Sequence, residues 1–247
     1  MRALPFDGPV DAVESHAKSD ESPRYLPMLA LWTLITVVTL GGLWIAGFRT
    51  RGLVGAVDKG AARIEAIRIG DIDDDLIRKT IQTQRETIPF WTVIALLGDF
   101  LVEPMALVAR ALAAATGFAA IAALRGRHIG FERALAECSA AQGFWVLGIV
   151  VRGALMMALR RDDIETSAAL FLTPGTYRAL IAIAVRQLDA FALIGWTTMA
   201  VGAVKRGQVK WPGALSVVVT LALIEAATRI SFEALLGASM RLSVMPT

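Results

Sequence analysis

Cysteine and histidine are almost missing from this chain of 247 residues: Cys138 stands alone, and the two histidines, His16 and His128, lie far apart. A single thiol excludes an internal disulfide and any cysteine-rich metal site. Two scattered histidines give a metal centre or a histidine-based triad little to build on. Charge is scarce as well. Asp, Glu, Lys and Arg make up 19% of the residues against 55% apolar, and the mean hydropathy is +0.58, too apolar for an ordinary soluble domain. The net charge of +3 is small. Its basic residues cap apolar runs and do not gather on one polar face, which points to membrane topology signals and away from nucleic acid.

Catalytic signatures are missing too. The chain has no Gly-rich phosphate loop, no HExxH pair and no GxSxG elbow, and Asp162-Asp163 lacks the further aspartates of a metal-diphosphate site. Ser139, beside Cys138, has no histidine or lysine at helical spacing and reads as a core position. Trp91, Trp145, Trp196 and Trp211 read as packing and interface anchors. The sequence therefore predicts no enzyme, no cofactor and no bound metal. The stretch GDIDDD alternates Asp71, Asp73 and Asp75 like a calcium loop, but Leu76 and Gln82 stand where such a loop needs glycine and glutamate. A solvated helix start is the better reading.

What the chain does have is long apolar runs, five of them. Residues 1–25 form a polar tail with Pro5, Gly8, Pro9 and Pro23, expected to be mobile. The run from Leu26 to Phe48 carries no charge and places Trp32 and Trp44 toward its two ends, as interfacial aromatics are placed. It lacks a basic start and is too long for a signal peptide, so it is expected to stay as an anchor. Residues 49–87 are water-facing. Val54, Val57, Ala61 and Ile64 keep helical spacing, and Ile72, Leu76, Ile77 and Ile81 form a second apolar face, predicting two short amphipathic helices. Ile88 to Leu124 is too long for one simple crossing, and Glu103-Pro104 predicts a kink or break within it. Further crossings follow at about Arg133–Leu159, Leu188–Val204 and from Trp211 onward. The predicted fold is all-α: a polytopic integral membrane protein, a five-transmembrane-helix bundle with a short amphipathic helical segment between the first and second crossings. Residues 88–237 form its four-helix membrane domain and 238–247 a C-terminal tail.

Small residues mark where these helices pack. Ala109, Ala113 and Gly117 recur every four residues, and Gly195 and Gly202 lie on the fourth crossing, so other helices can approach closely at these positions. The loops after the second and fourth crossings hold Arg125, Arg127, Arg133, Lys205, Arg206 and Lys210. By the positive-inside rule the N-terminus is then cytoplasmic and the C-terminus outside.

Charges inside such a bundle are costly and should pair. At about 1.5 Å per residue, Arg110 and Glu225 each lie roughly 21 Å from the cytoplasmic face, and Arg229 roughly 27 Å. Arg152, Arg186 and Asp189 enter from the outer side. Arg110, Arg152, Arg186, Asp189, Glu225 and Arg229 are thus predicted to form one polar cluster in the outer part of the bundle. The expected partners are Arg110 or Arg152 with Glu225 or Asp189. The cluster reads as a clasp that fixes helix register, as a path or site for an ion or polar substrate, or as interfacial placement with no pairing.

Phe131-Glu132-Arg133-Ala134-Leu135 and, above all, LDAFALIGWTTMAVG from Leu188 to Gly202 resemble the Yip domain family, the Ypt/Rab-interacting membrane proteins, in a bacterial-type member. Asp189, Phe191, Trp196 and Gly202 carry the likeness, which covers about residues 90–230. The resemblance implies five transmembrane helices, a cytoplasmic N-terminus and an outer C-terminus. It implies trafficking or membrane-organising roles through prenylated small GTPases for eukaryotic members. The tail here shows no matching GTPase-binding motif, so that role is not carried across. The functional expectation is a non-enzymatic scaffold, assembly or membrane-organising factor in a bacterial inner membrane. Its partners are the lipid bilayer, other membrane proteins or a second copy, and no nucleic acid. The alternative is a small transporter or channel using the polar cluster.

Overall fold

The structure, a computed structural model, describes residues 25–66, 74–126, 130–162, 164–171 and 179–242. Expectations for residues 1–24, for the start of the acidic stretch at 70–73 and for the end of the chain at 243–247 lie outside them. Regular structure in the described residues is helical, without a strand. Among the described residues, four helices are long and apolar enough to cross a membrane: Tyr25–Ile45, Ile81–Leu124, Phe131–Leu159 and Trp211–Leu235. A fifth apolar helix, Ala190–Lys205, is shorter.

The first of these is α1 (Tyr25–Ile45), followed by α2 (Phe48–Ala66) and α3 (Asp74–Glu86). α2 packs on α1, α3 and α4 (Ile88–Leu97), and Arg85 reaches Asp58 across α2 and α3 at 3.1 Å. α4 runs through a π-helical turn, Gly98–Val102, directly into α5 (Glu103–Leu124). The interruption expected at Glu103-Pro104 is therefore not a helix end. Glu103 keeps helical torsions and donates its amide to the Gly98 carbonyl, five residues back. Widening the ladder there removes the bond that the proline ring would otherwise obstruct.

The third apolar run divides into α6 (Phe131–Ala141) and α7 (Gly143–Leu159) around Gln142. The Gln142 amide bonds the Ser139 carbonyl three residues back, leaving the Cys138 carbonyl free. The Gln142 side chain fills that vacancy, Nε2 donating to the Cys138 oxygen at 3.2 Å. α8 (Ala179–Arg186) leads to α9 (Ala190–Lys205) and then to α10 (Trp211–Leu242), which continues past the expected boundary at residue 237.

Neighbouring helices run antiparallel, as their contacts show. Along α5, Gly117 faces Val217, Arg110 faces Glu225 and Glu103 faces Arg229, so α10 descends as α5 rises. α7 and α9 pair in the same sense: Gly148 meets Phe191 and Gly195 meets Trp145. The core is rich in alanine. Ala111, Ala114, Ala115 and Phe118 of α5 pack with Ala134, Leu135 and Cys138 of α6, Met199, Ala200 and Ala203 of α9, and Ala214 and Val218 of α10. Small side chains let these backbones approach closely, so dispersion contacts hold helices that bilayer lipid would otherwise solvate equally well.

The predicted small-residue stripe is split by this packing. Gly117 lies in the α5–α10 contact, where an added Cβ would stand 2.8 Å from a Val217 methyl. Ala109 and Ala113 are exposed, and they border a cavity. Gly195 is overlapped by the Trp145 ring, and Gly202 lies beneath the Arg206 guanidinium.

Candidate functional site

Helices α1, α4, α5, α7, α9 and α10, with the start of α2, border a half-open cavity of about 690 Å³. One wall is aromatic and apolar, with Trp44, Phe48, Trp91, Trp196 and Phe232. The π turn brings Asp99 into the wall. Along α5, Glu103, Ala106, Arg110 and Ala113 follow at intervals of three and four residues, the period of one helix face, with Ala109 beside Arg110. From α10 come Leu221, Glu225, Thr228, Arg229 and Phe232 at the same spacing.

A bonded chain of charges crosses the α5–α10 side of the cavity. Arg110, only 6% exposed, donates from Nε to Glu225 Oε1 at 2.9 Å and from Nη1 to Gln142 Oε1 at 3.2 Å. Its guanidinium lies 4.9 Å over the Trp145 ring, which meets Trp196 edge-on. Arg229 Nε donates to the same Glu225 oxygen at 3.1 Å. Its two terminal nitrogens reach the two Glu103 oxygens at 3.2 and 3.4 Å. Two arginines and two glutamates thus neutralise one another in series. Charges this far from bulk water need both partners and further hydrogen bonds, which Gln142 and the bidentate Glu103–Arg229 contact supply.

A second pair closes the opposite side. Arg49, at the start of α2, holds Asp99 with two hydrogen bonds, one of them from Nε at 2.8 Å. Trp44 Nε1 donates to the same carboxylate at 2.9 Å. This contact fastens α1 and α2 to the π turn. π turns within α-helices are frequent at functional sites.

The six residues expected in one polar cluster separate into three groups. Arg110, Glu225 and Arg229 form the chain just described. Arg152 and Asp189 meet at 3.2 Å, joined by Thr166, which donates to Asp189 Oδ2 at 2.8 Å and accepts from Arg152 Nη2. Arg152 Nε is buried without a partner. Asp189 Oδ1 caps α9 by accepting from the amides of Phe191 and Ala192 at 2.8 and 3.3 Å. Arg186 pairs with Glu165 at 3.1 Å. Only the first group lines the cavity. The groups sit on different helices: α5 and α10 carry the first, α7 and the start of α9 the second, and the end of α8 the third.

Four residues of the site were not among those predicted: Glu103, Asp99, Arg49 and Gln142. Asp99 and Glu103 are four residues apart, hence on one helix face, immediately before a proline. That spacing was the available signal. Arg49 and Gln142 gave none, because one sits at a charged helix start and the other resembles any isolated polar residue in an apolar run.

At the other end of the bundle, Glu137 and Arg206 pair beside a smaller cavity of about 300 Å³ that Cys138 also borders. Compared with known proteins, the chain matches no family model, no curated protein and no solved structure. Its function has to be read from the site itself.

Proposed function

We propose that this chain is a non-enzymatic membrane protein of five crossings that binds an amphipathic molecule in the cavity between α2, α5 and α10, as a small transporter or binding protein. The observation carrying this reading is the cavity, about 690 Å³, the size of a drug-sized ligand site. Its apolar and aromatic wall meets a self-neutralised arginine–glutamate chain, an arrangement that suits a ligand with a greasy body and a polar end. The count of five takes α9, whose 16 residues reach about 24 Å, as the crossing between α7 and α10. α2 and α3 are the amphipathic segment. Arg125, Arg133, Lys205, Arg206 and Lys210 fall at the end where α1 begins, which supports a cytoplasmic N-terminus and an outer C-terminus. The likeness to bacterial Yip-domain proteins rests on Asp189, Phe191, Trp196 and Gly202 and extends the reading to a bacterial inner membrane.

The test uses purified protein in lipid nanodiscs and a neutral amphipathic probe, triphenylphosphine oxide. Saturable binding above that of empty nanodiscs, lost in Ala113→Trp, is the expected result. Uptake no greater than lipid partitioning would contradict the proposal.

A second reading, the scaffold, draws on α4. Its Phe90, Val93, Leu96 and Leu97 are exposed, and apart from the π turn it packs mainly on α2 and α3. Chemical crosslinking and affinity purification from native membrane test this: a stoichiometric partner protein held through α4 favours it.

A further inference from the structure

The described residues that line the cavity are not balanced in charge: three arginines, Arg49, Arg110 and Arg229, stand against five carboxylates, those of Asp99, Glu103, Asp162, Glu225 and Glu233, for a formal charge of −2. All three arginines are already bonded to carboxylates, so none brings an uncompensated positive charge to the cavity. The surplus resides in two residues. No cation meets Asp162 among the described residues; its carboxylate stands over Gly52 and Gly55 of α2. Glu233 accepts from the neutral amide of Gln187 at 3.3 Å. The remaining wall is rich in aromatic rings, whose faces attract cations. One of them already does so, since the Arg51 guanidinium lies 4.4 Å over the Phe48 ring.

Resting on the cavity-binding reading above, we propose that the ligand is an amphipathic cation: a single positive charge, as a protonated amine or an onium centre, on a bulky apolar or aromatic body. The body fills the space beside Trp44, Trp91 and Trp196. The charge lies toward Asp162 and Glu233, away from the neutralised arginine–glutamate chain. A lipid phosphate or another anion would meet two uncompensated carboxylates and, among the described lining residues, only guanidinium groups already paired with carboxylates.

Tetraphenylphosphonium and tetraphenylborate test the sign, because they share a tetrahedral aryl body and differ in charge. Equilibrium dialysis against protein-loaded nanodiscs, with empty nanodiscs subtracted, gives both affinities. Tetraphenylphosphonium should bind saturably and about tenfold or more tighter than tetraphenylborate. Asp162→Asn and Glu233→Gln should each narrow that gap. These nearly isosteric changes are at the cavity margin, and an unchanged thermal transition shows that the fold is kept. Equal affinities, or a preference for the borate, overturn the cation assignment while saturable binding of the neutral probe leaves the cavity reading standing. If none of the three probes binds saturably, both readings fall together.

Discussion

Glu225 Oε1 lies 2.9 Å from Arg110 Nε, joining α10 to α5 in the middle of two apolar helices. The same oxygen also takes a hydrogen bond from Arg229 at 3.1 Å. One carboxylate oxygen therefore serves two cations, and the two single deletions are not equivalent.

Removing Arg110 leaves Glu225 paired with Arg229. Removing Glu225 leaves Arg110 with only Gln142 and a Trp145 ring. Breaking a buried pair from one side costs about 3–5 kcal/mol, whereas removing both partners is often nearly neutral. Glu225→Leu should therefore lower the unfolding temperature and folded yield more than Arg110→Leu, and the double variant should recover much of the loss. Thermal unfolding in detergent, followed by helical circular dichroism, checks this. A double variant as poor as Glu225→Leu alone would show that the pair is not coupled.

Asp189 does two jobs with its two oxygens, capping α9 with one and holding Thr166 and Arg152 with the other. Asparagine keeps a capping oxygen but not the charge, so Asp189→Asn should lose less stability than Asp189→Ala. The difference between them should be about 1 kcal/mol, the usual worth of a cap. Parallel unfolding curves for the two variants measure it, and equal losses would mean that the cap contributes nothing.

Gly195 and Gly202 should respond differently to a side chain. At Gly195 a Cβ overlaps the Trp145 ring, itself held edge-on against Trp196. At Gly202 it meets the end of the flexible Arg206 side chain. Gly195→Ala should cost about 1–3 kcal/mol, as overpacking does, and Gly202→Ala clearly less. Comparison of their unfolding temperatures decides, and an equal or reversed order would contradict the packing described.

The helical membrane character of the chain was legible because apolar runs longer than about 18 residues have few other uses. Estimated depth along each run also singled out Arg110, Glu225, Arg152 and Asp189, since a charge far from water needs a partner. Depth does not say which helices are neighbours, however. Six charges at similar depth therefore looked like one cluster, while each takes a partner of its own, Arg110 with Glu225, Arg152 with Asp189 and Arg186 with Glu165. The Glu103-Pro104 pair announced a disturbance in the helix but not its form. A break, a kink and a π turn all relieve the same proline clash. Arg49 and Asp99 are fifty residues apart, and only the way α2 folds back against the π turn brings them together. The cavity itself has no sequence signature, because Ala109 and Ala113 look the same bordering a void as packing a helix.

The central claim is that this void is a binding site reached from the outer face. Cys138 is the only cysteine in the chain and is buried at 3% exposure, so Cys138→Ser provides a clean background for a single probe at Ala113→Cys. The decisive measurement is the rate at which that cysteine reacts with a membrane-impermeant maleimide in oriented vesicles, with and without triphenylphosphine oxide. Rapid labelling from the outer face, slowed by the probe, is the result the proposed function predicts. Labelling no faster than that of Cys138 in the native chain, or a rate unchanged by the probe, would contradict it.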